Sequence, residues 1–238
     1  MPLVYVIRHG QASFSKSDYD QLSEKGIEQS KVLGRFFKNT QNRFDSVFSG
    51  SLKRQKDTAF HMTKAMDEKK YNQKIIEGFN EYNHLDLINA AFKYYKKKDP
   101  EFSPDLSEIA KNRKKFQQFF SDAVEKWIKG EFSEYGIESY EKYSSKVLNA
   151  FEEATKKETE KKIAVVTSGG AVSVLLENTL GITPFKAAEL GWGLRNCSVS
   201  VVSSKGTFNK DNNRFLLRVF NSAAHFEIEK EKELITYR

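Results

Sequence analysis

Residues 7–10 read Ile-Arg-His-Gly and close a short apolar run, Leu3-Val4-Tyr5-Val6-Ile7. The run predicts a buried strand that ends in an arginine and a histidine, with a glycine where the backbone can bend sharply. A neutral imidazole has a free lone pair near pH 7, and a neighbouring cation such as Arg8 disfavours its protonated form. An imidazole so placed is suited to attack on an anionic group. A second apolar run, Ile163-Ala164-Val165-Val166, leads into Thr167-Ser168-Gly169-Gly170 and then a helical pattern. A turn of that kind brings a hydroxyl and the N–H groups of a helix start to a strand end.

The elements that must carry these residues alternate. After the first strand, Leu22, Ile27, Val32-Leu33 and Phe36-Phe37 recur at helical spacing over 22–39, with Ser23 and Glu24 as a polar start. Residues 44–48 read as a second strand, 49–66 as a second helix, and Ile75-Ile76 as the edge of a third strand. This βαβαβ order predicts a mostly parallel sheet with helices on its faces. Residues 84–158 differ, being rich in lysine, glutamate and phenylalanine, with long helical patterns and breaks at Asp99-Pro100 and Ser103-Pro104. They predict a helical insertion over the sheet. A helix over 171–180 ends at Gly181, and the β runs 199–202 and 215–220 predict a hairpin.

Four segments, in order, resemble the histidine phosphatase superfamily, which includes the phosphoglycerate mutases and acid-type phosphatases. They are Arg8-His9-Gly10, Leu22-Ser23-Glu24-Lys25-Gly26 with Gln29, Ser51-Leu52-Lys53-Arg54-Gln55-Lys56-Asp57-Thr58-Ala59, and Val165 to Gly170. Order and spacing agree over nearly the whole chain, the insertion excepted. The resemblance implies a phosphoglycerate mutase-like fold: one domain over 1–238, a three-layer, mostly parallel sheet with helices on both faces, and 84–158 as a helical cap. It implies hydrolysis of phosphate monoesters through a phosphohistidine on His9, with no metal or organic cofactor because arginines neutralise the anion. Mutase-type phosphotransfer and a weak or inactive phosphate-binding relative are the alternatives. Arg8 and Arg54 are expected to clamp the phosphate, since guanidinium offers a planar fork to two oxygens and stays charged. A surface ion pair with Asp57 is the other reading of Arg54.

The family's proton donor is a glutamate after the third strand. Glu81, in Phe79-Asn80-Glu81-Tyr82, is the first choice and Glu77 the fallback, with burial expected to favour the protonated acid. Ser168 is a departure, because the resemblance implies a second histidine there. Losing one charge-assisted bond costs about 1.5–3 kcal/mol, roughly ten- to a hundredfold in rate. Ser168 and Gly169 are still expected to hold phosphate, with the Ser168 hydroxyl capping the helix and the helix N-terminus offering free N–H groups. His84 and His225 are candidates for substrate contact or for structural hydrogen bonding. Gln11 and Ser13 are expected to touch phosphate or to cap the loop, and His61 to pack or face solvent. Phe92, Tyr94-Tyr95 and Phe116 read as core of the insertion rather than pocket lining.

The 238 residues suffice for a sizeable core, and the formal charge of +7 comes largely from lysine clusters such as 96–98 and 111–115. Such runs usually form solvated helix faces. No arginine-rich stripe, zinc spacing or aromatic RNA motif accompanies them, which argues against nucleic acid as a partner. The resemblance implies a phosphorylated small molecule or protein as substrate. A single cysteine, Cys197, excludes an intrachain disulfide. No signal segment or membrane-length apolar run is visible, so a cytoplasmic location is expected.

Overall fold

A computed structural model describes residues 2–13, 20–67, 73–101, 112–157, 161–204 and 215–237. Six strands form one sheet: β1 (Leu3–Arg8), β2 (Ser46–Ser49), β3 (Gln73–Ile75), β4 (Lys162–Thr167), β5 (Val199–Ser204) and β6 (Phe215–Ser222). Their order is β3-β2-β4-β1-β5-β6. The first four are parallel, with β1 on β4, β4 on β2 and β2 on β3; β5 runs antiparallel to β1 and β6. The late hairpin is thus present, and its Gly/Asn/Asp loop lies outside the described residues. The carboxyl ends of β1 to β4 share one edge of the sheet, where open α/β sheets place their ligands.

The apolar run of β1 serves both faces of the sheet. Ile7 packs in a core with Val47, Ala164 and Val166, covered by Val32, Leu33 and Phe37 of α1 (Glu24–Asn39) and by Ala59 and Met62 of α2 (Lys53–Ala65). Val4, Val6, Ile163 and Val165 alternate with these residues and are equally buried. A strand buried on both faces reads as a continuous apolar run, which is why no period-two pattern appears in the sequence.

The chain divides into two compact units: Met1–Glu81 with Lys146–Arg238, and Tyr82–Ser145. The second holds α3 (His84–Lys98), α4 (Arg113–Ile128) and the start of α5 (Tyr140–Thr155). The expected insertion, 84–158, is therefore helical where described but differs in extent. The later half of α5 belongs to the sheet-bearing unit, where Phe151 meets Phe79 and Phe215 edge-on. Within the helical unit the aromatics pack on one another: Phe92 stacks on Phe119, Phe116 on Phe120, and Tyr82 meets Trp127 and Tyr143. The lysines 96–98 sit exposed in the last turn of α3, where positive charge suits the helix end. After β4 come α6 (Gly169–Leu180), closed by Gly181 at φ +64° as expected, and α7 (Pro184–Trp192). A short α8 (Ala224–Ile228) and a 3-10 turn (Lys232–Leu234) lead to the last described residues.

Candidate active site

His9 follows β1, and its backbone N–H donates to the Thr167 carbonyl at 2.9 Å. The ring is 7% exposed. Its Nδ1 lies 2.7 Å from the Gly10 carbonyl, which can only accept, so Nδ1 carries the hydrogen. Its Nε2 lies 3.2 Å from Arg54 Nε, which can only donate, so Nε2 carries the lone pair. Both partners thus dictate the same tautomer. The imidazole pKa sits well below 6.5, first because the ring is buried, then because Arg54 and Arg8 repel a positive ring; the Gly10 bond opposes this weakly.

Gly10 permits the approach behind this geometry. A Cβ there would stand 2.5 Å from the Gly26 carbonyl oxygen, and one on Gly26 would stand 2.2 Å from the Gln11 carbonyl oxygen. The two glycines let the loop after His9 and the first turn of α1 touch backbone to backbone. Ser23 caps that helix by accepting from the Gly26 N–H. The Gly10 N–H donates to Thr58 Oγ1 at 3.0 Å, so the Thr-Ala of the arginine helix is tied to the turn after His9.

Arg54 lies on the buried face of α2 with Gln55, Thr58, Ala59 and Met62. Its partner is Asp20 rather than Asp57, at 2.7 Å from Nη1; Asp57 pairs instead with Lys53. Asp20 also accepts from the Lys53 N–H at 2.6 Å, capping a helix whose own N-cap, Leu52, has no capping side chain. Sequence reasoning missed Asp20. The only signal was an uncapped helix start, which required an acceptor from elsewhere.

Arg8 is anchored by Nη1, which donates to the Tyr237 carbonyl at 2.6 Å and to the Leu194 carbonyl. Its charge still reaches His9, but this end of the guanidinium serves backbone oxygens.

Glu77 is exposed at the start of a 3-10 turn (Glu77–Phe79), whereas Glu81 is half-buried and placed at the end of β4. Both Glu81 carboxylate oxygens accept from the Gly170 N–H, at 3.0 and 3.2 Å. This corrects two expectations. Glu81 is partly rather than deeply shielded, and that N–H of the α6 N-terminus, expected to be free, is taken by the carboxylate.

The Ser168 hydroxyl does not cap α6 either. It is fully buried and accepts from Gln55 Nε2 at 2.8 Å. The same amide donates to the Phe79 carbonyl at 2.9 Å. Gln55 therefore joins α2, the turn before Glu81 and the end of β4. Nothing in its sequence position announced this, because its partners lie 24 and 113 residues away.

The remaining candidates have local partners of their own. Gln11 is structural in its backbone, donating to Gln29 Oε1 at 2.8 Å and accepting from Ser23. The Ser13 N–H donates to the Gln21 carbonyl. His84 opens α3 in the helical unit. His225 is a core residue, 2% exposed, with its ring against Phe36 and Phe226. Burial pushes its pKa down to about 4. His61 is half-buried on α2, edge-on to Phe60.

The family model for the Histidine phosphatase superfamily (branch 1) matches residues 4–111 and 99–215. The chain belongs to that superfamily. Among its relatives, this histidine phosphatase is 26% identical over 207 residues to a metal-independent phosphoserine phosphatase from Arabidopsis thaliana, covering 84% of this chain and 75% of that protein. Its fold is similar to that of a phosphoglycerate mutase from Bacillus anthracis (TM-score 0.61, 20% identity, 97% and 96% of the two chains). It is also similar to a mutant phosphoserine phosphatase from Entamoeba histolytica in complex with phosphoserine (TM-score 0.58, 19% identity, 94% and 99%). No helix among the described residues is long and apolar enough to cross a membrane.

Proposed function

We propose that this histidine phosphatase hydrolyses phosphate monoesters in two steps through a phosphohistidine on His9. In the first, the Nε2 lone pair attacks phosphorus, the P–O bond to the alcohol breaks, and Glu81 in its acid form protonates the departing oxygen. In the second, water attacks the phosphohistidine and gives its proton to the Glu81 carboxylate, which restores both groups.

The observation that carries this reading is the double fixing of the imidazole. With Nδ1–H spent on Gly10 and Nε2 facing Arg54, the lone pair points at the cation best suited to gather a phosphate. An incoming phosphoryl oxygen replaces Nε2 as acceptor for Arg54 Nε, so the group that holds the nucleophile becomes the group that holds the substrate. Asp20 keeps that guanidinium in place. Arg8 adds positive potential from its anchored position. Ser168, expected to hold phosphate, is fully buried and held by Gln55, so it supports the end of β4 from behind rather than donating to the phosphate. The depressed His9 pKa keeps the nucleophile unprotonated at neutral pH and well into mild acid.

Phosphoserine is the first natural candidate to test, because a relative is named for that activity. The experiment compares wild type with His9→Ala on p-nitrophenyl phosphate and on phosphoserine, with release of inorganic phosphate measured. The reading requires turnover by wild type and none above background by the variant. Equal rates for the two proteins would refute it.

A further inference from the structure

The segment 234–237 lies far from the nucleophile in sequence but is stitched to it by buried hydrogen bonds. Two amides make the stitches, and each works in both directions. Gln29 on α1 is fully buried. Its Oε1 accepts from the Gln11 N–H at 2.8 Å, while its Nε2 donates to the Leu234 carbonyl at 2.6 Å and to Thr236 Oγ1 at 2.8 Å. Asn196 is 2% exposed. Its Nδ2 donates to the His9 carbonyl at 3.2 Å, while its Oδ1 accepts from Thr236 Oγ1 at 2.9 Å and its backbone N–H donates to the Thr236 carbonyl at 2.9 Å. A third stitch is direct, from Arg8 Nη1 to the Tyr237 carbonyl. Leu234 anchors the segment in the same core as Phe226 and Ile7.

Residues 8, 9 and 11 are thus each tied to residues 234–237, directly or through one amide. The Thr236 hydroxyl is the knot: it accepts from Gln29 and donates to Asn196, so it sets both amides at once. A joint that merely packed the end of the chain would need Leu234 and little else. This one spends its polar groups on the three residues that frame the imidazole. We propose that residues 234–237 form a positioning strap, with Thr236, Asn196 and Gln29 as positioning residues that fix the aim of His9 and the orientation of Arg8. The catalytic consequence rests on the phosphatase reading above; the mechanical one does not.

Thr236→Val keeps the shape of the side chain and removes both hydroxyl bonds, and Thr236→Ser keeps the hydroxyl. The strap predicts that Thr236→Val lowers kcat on p-nitrophenyl phosphate roughly tenfold, since small misplacements of reacting groups are costly, with KM changed less than twofold. Thr236→Ser restores most of the rate. In parallel, nitrogen-15 spectra of the His9 ring in both variants report its environment without turnover. They are expected to shift in Thr236→Val and to return in Thr236→Ser. An unmoved His9 ring in Thr236→Val overturns the strap whatever the kinetics. So does an unchanged kcat in an active enzyme, or a loss that Thr236→Ser fails to restore. If wild type shows no turnover at all, the phosphatase reading falls, and the ring spectra alone decide the strap.

Discussion

The ends of β1 and β4 lie side by side, yet they present opposite chemistry. At the β1 end the ring of His9 is set among cations, with Arg54 on its lone pair and the charge of Arg8 close by. At the β4 end the Ser168 hydroxyl takes a neutral amide proton from Gln55, and the next donor, the Gly170 N–H, holds the Glu81 carboxylate. In the proposed reaction one side gathers an anion, and the other steers protons with groups that carry little positive charge. The difference teaches where each step should fail. Phosphate capture should depend on the β1 side, and departure of the alcohol on the β4 side.

The widest separation comes from removing each side in turn. His9→Ala is expected to lower kcat at least about a thousandfold, and Arg54→Ala about a hundredfold or more, on every substrate alike. Glu81→Gln is expected to act selectively. It should cost roughly a hundredfold or more with phosphoserine, whose alkoxide needs a proton, and far less with p-nitrophenyl phosphate, whose leaving group is stable as an anion. The ratio of the two rates in each variant is the measurement. A Glu81→Gln enzyme equally slow on both substrates would mean that the β4 side binds phosphate rather than supplying the proton.

A smaller effect sharpens the β4 side. Ser168 and Gln55 are both fully buried and in contact, so a histidine at 168 has no room while Gln55 stays. Overfilling a packed site costs roughly 1–3 kcal/mol. Ser168→His alone is expected to lose stability without gaining rate. Combined with Gln55→Ala, it should exceed either single variant in kcat. Thermal melts and steady-state rates of the three proteins test this, and a gain in rate from Ser168→His alone would show that Gln55 is no obstacle.

The last comparison concerns pH. His225 in the unfolded chain takes a proton near pH 6.5, but in the fold only near pH 4. Its contribution to stability is therefore complete above pH 6.5 and drains as pH falls toward 4, by up to about 3 kcal/mol. His9, also depressed, adds to the same slope. Urea midpoints at pH 7 and 4.5 should converge in His225→Leu relative to wild type, and an identical drop in both proteins would assign the acid sensitivity elsewhere. The acid limb of kcat/KM should fall below pH 6.5 for the same reason, since free His9 must stay neutral to attack.

Much of this was legible in the chain because it is local or set by backbone contact. Arg8-His9-Gly10 and Leu22-Ser23-Glu24-Lys25-Gly26 stood out as motifs, and the structure gives their glycines a reason, since a Cβ on either would strike a carbonyl. The arginine helix could be read from Arg54 and Thr58, which are one helical turn apart and turn the same way. What stayed hidden depends on partners distant in sequence. Asp20 reaches α2 across 33 residues, Gln55 reaches Ser168 across 113, and Gln29 reaches Leu234 across 205. No periodicity or motif encodes such pairings; only the assembled sheet edge brings them together. The misplaced cap on α6 has the same origin. A serine before two glycines reads as a helix cap until a distant glutamate takes the N–H and a distant glutamine takes the hydroxyl.

The central claim is that phosphorus becomes bonded to Nε2 of His9, and rapid-quench labelling tests it most directly. Wild type mixed for milliseconds with a labelled phosphomonoester and quenched in alkali should carry acid-labile phosphate on the peptide containing His9, at up to one equivalent, with none on His9→Ala. Turnover by wild type with no such label at any quench time, or with label on a different residue, would contradict the account.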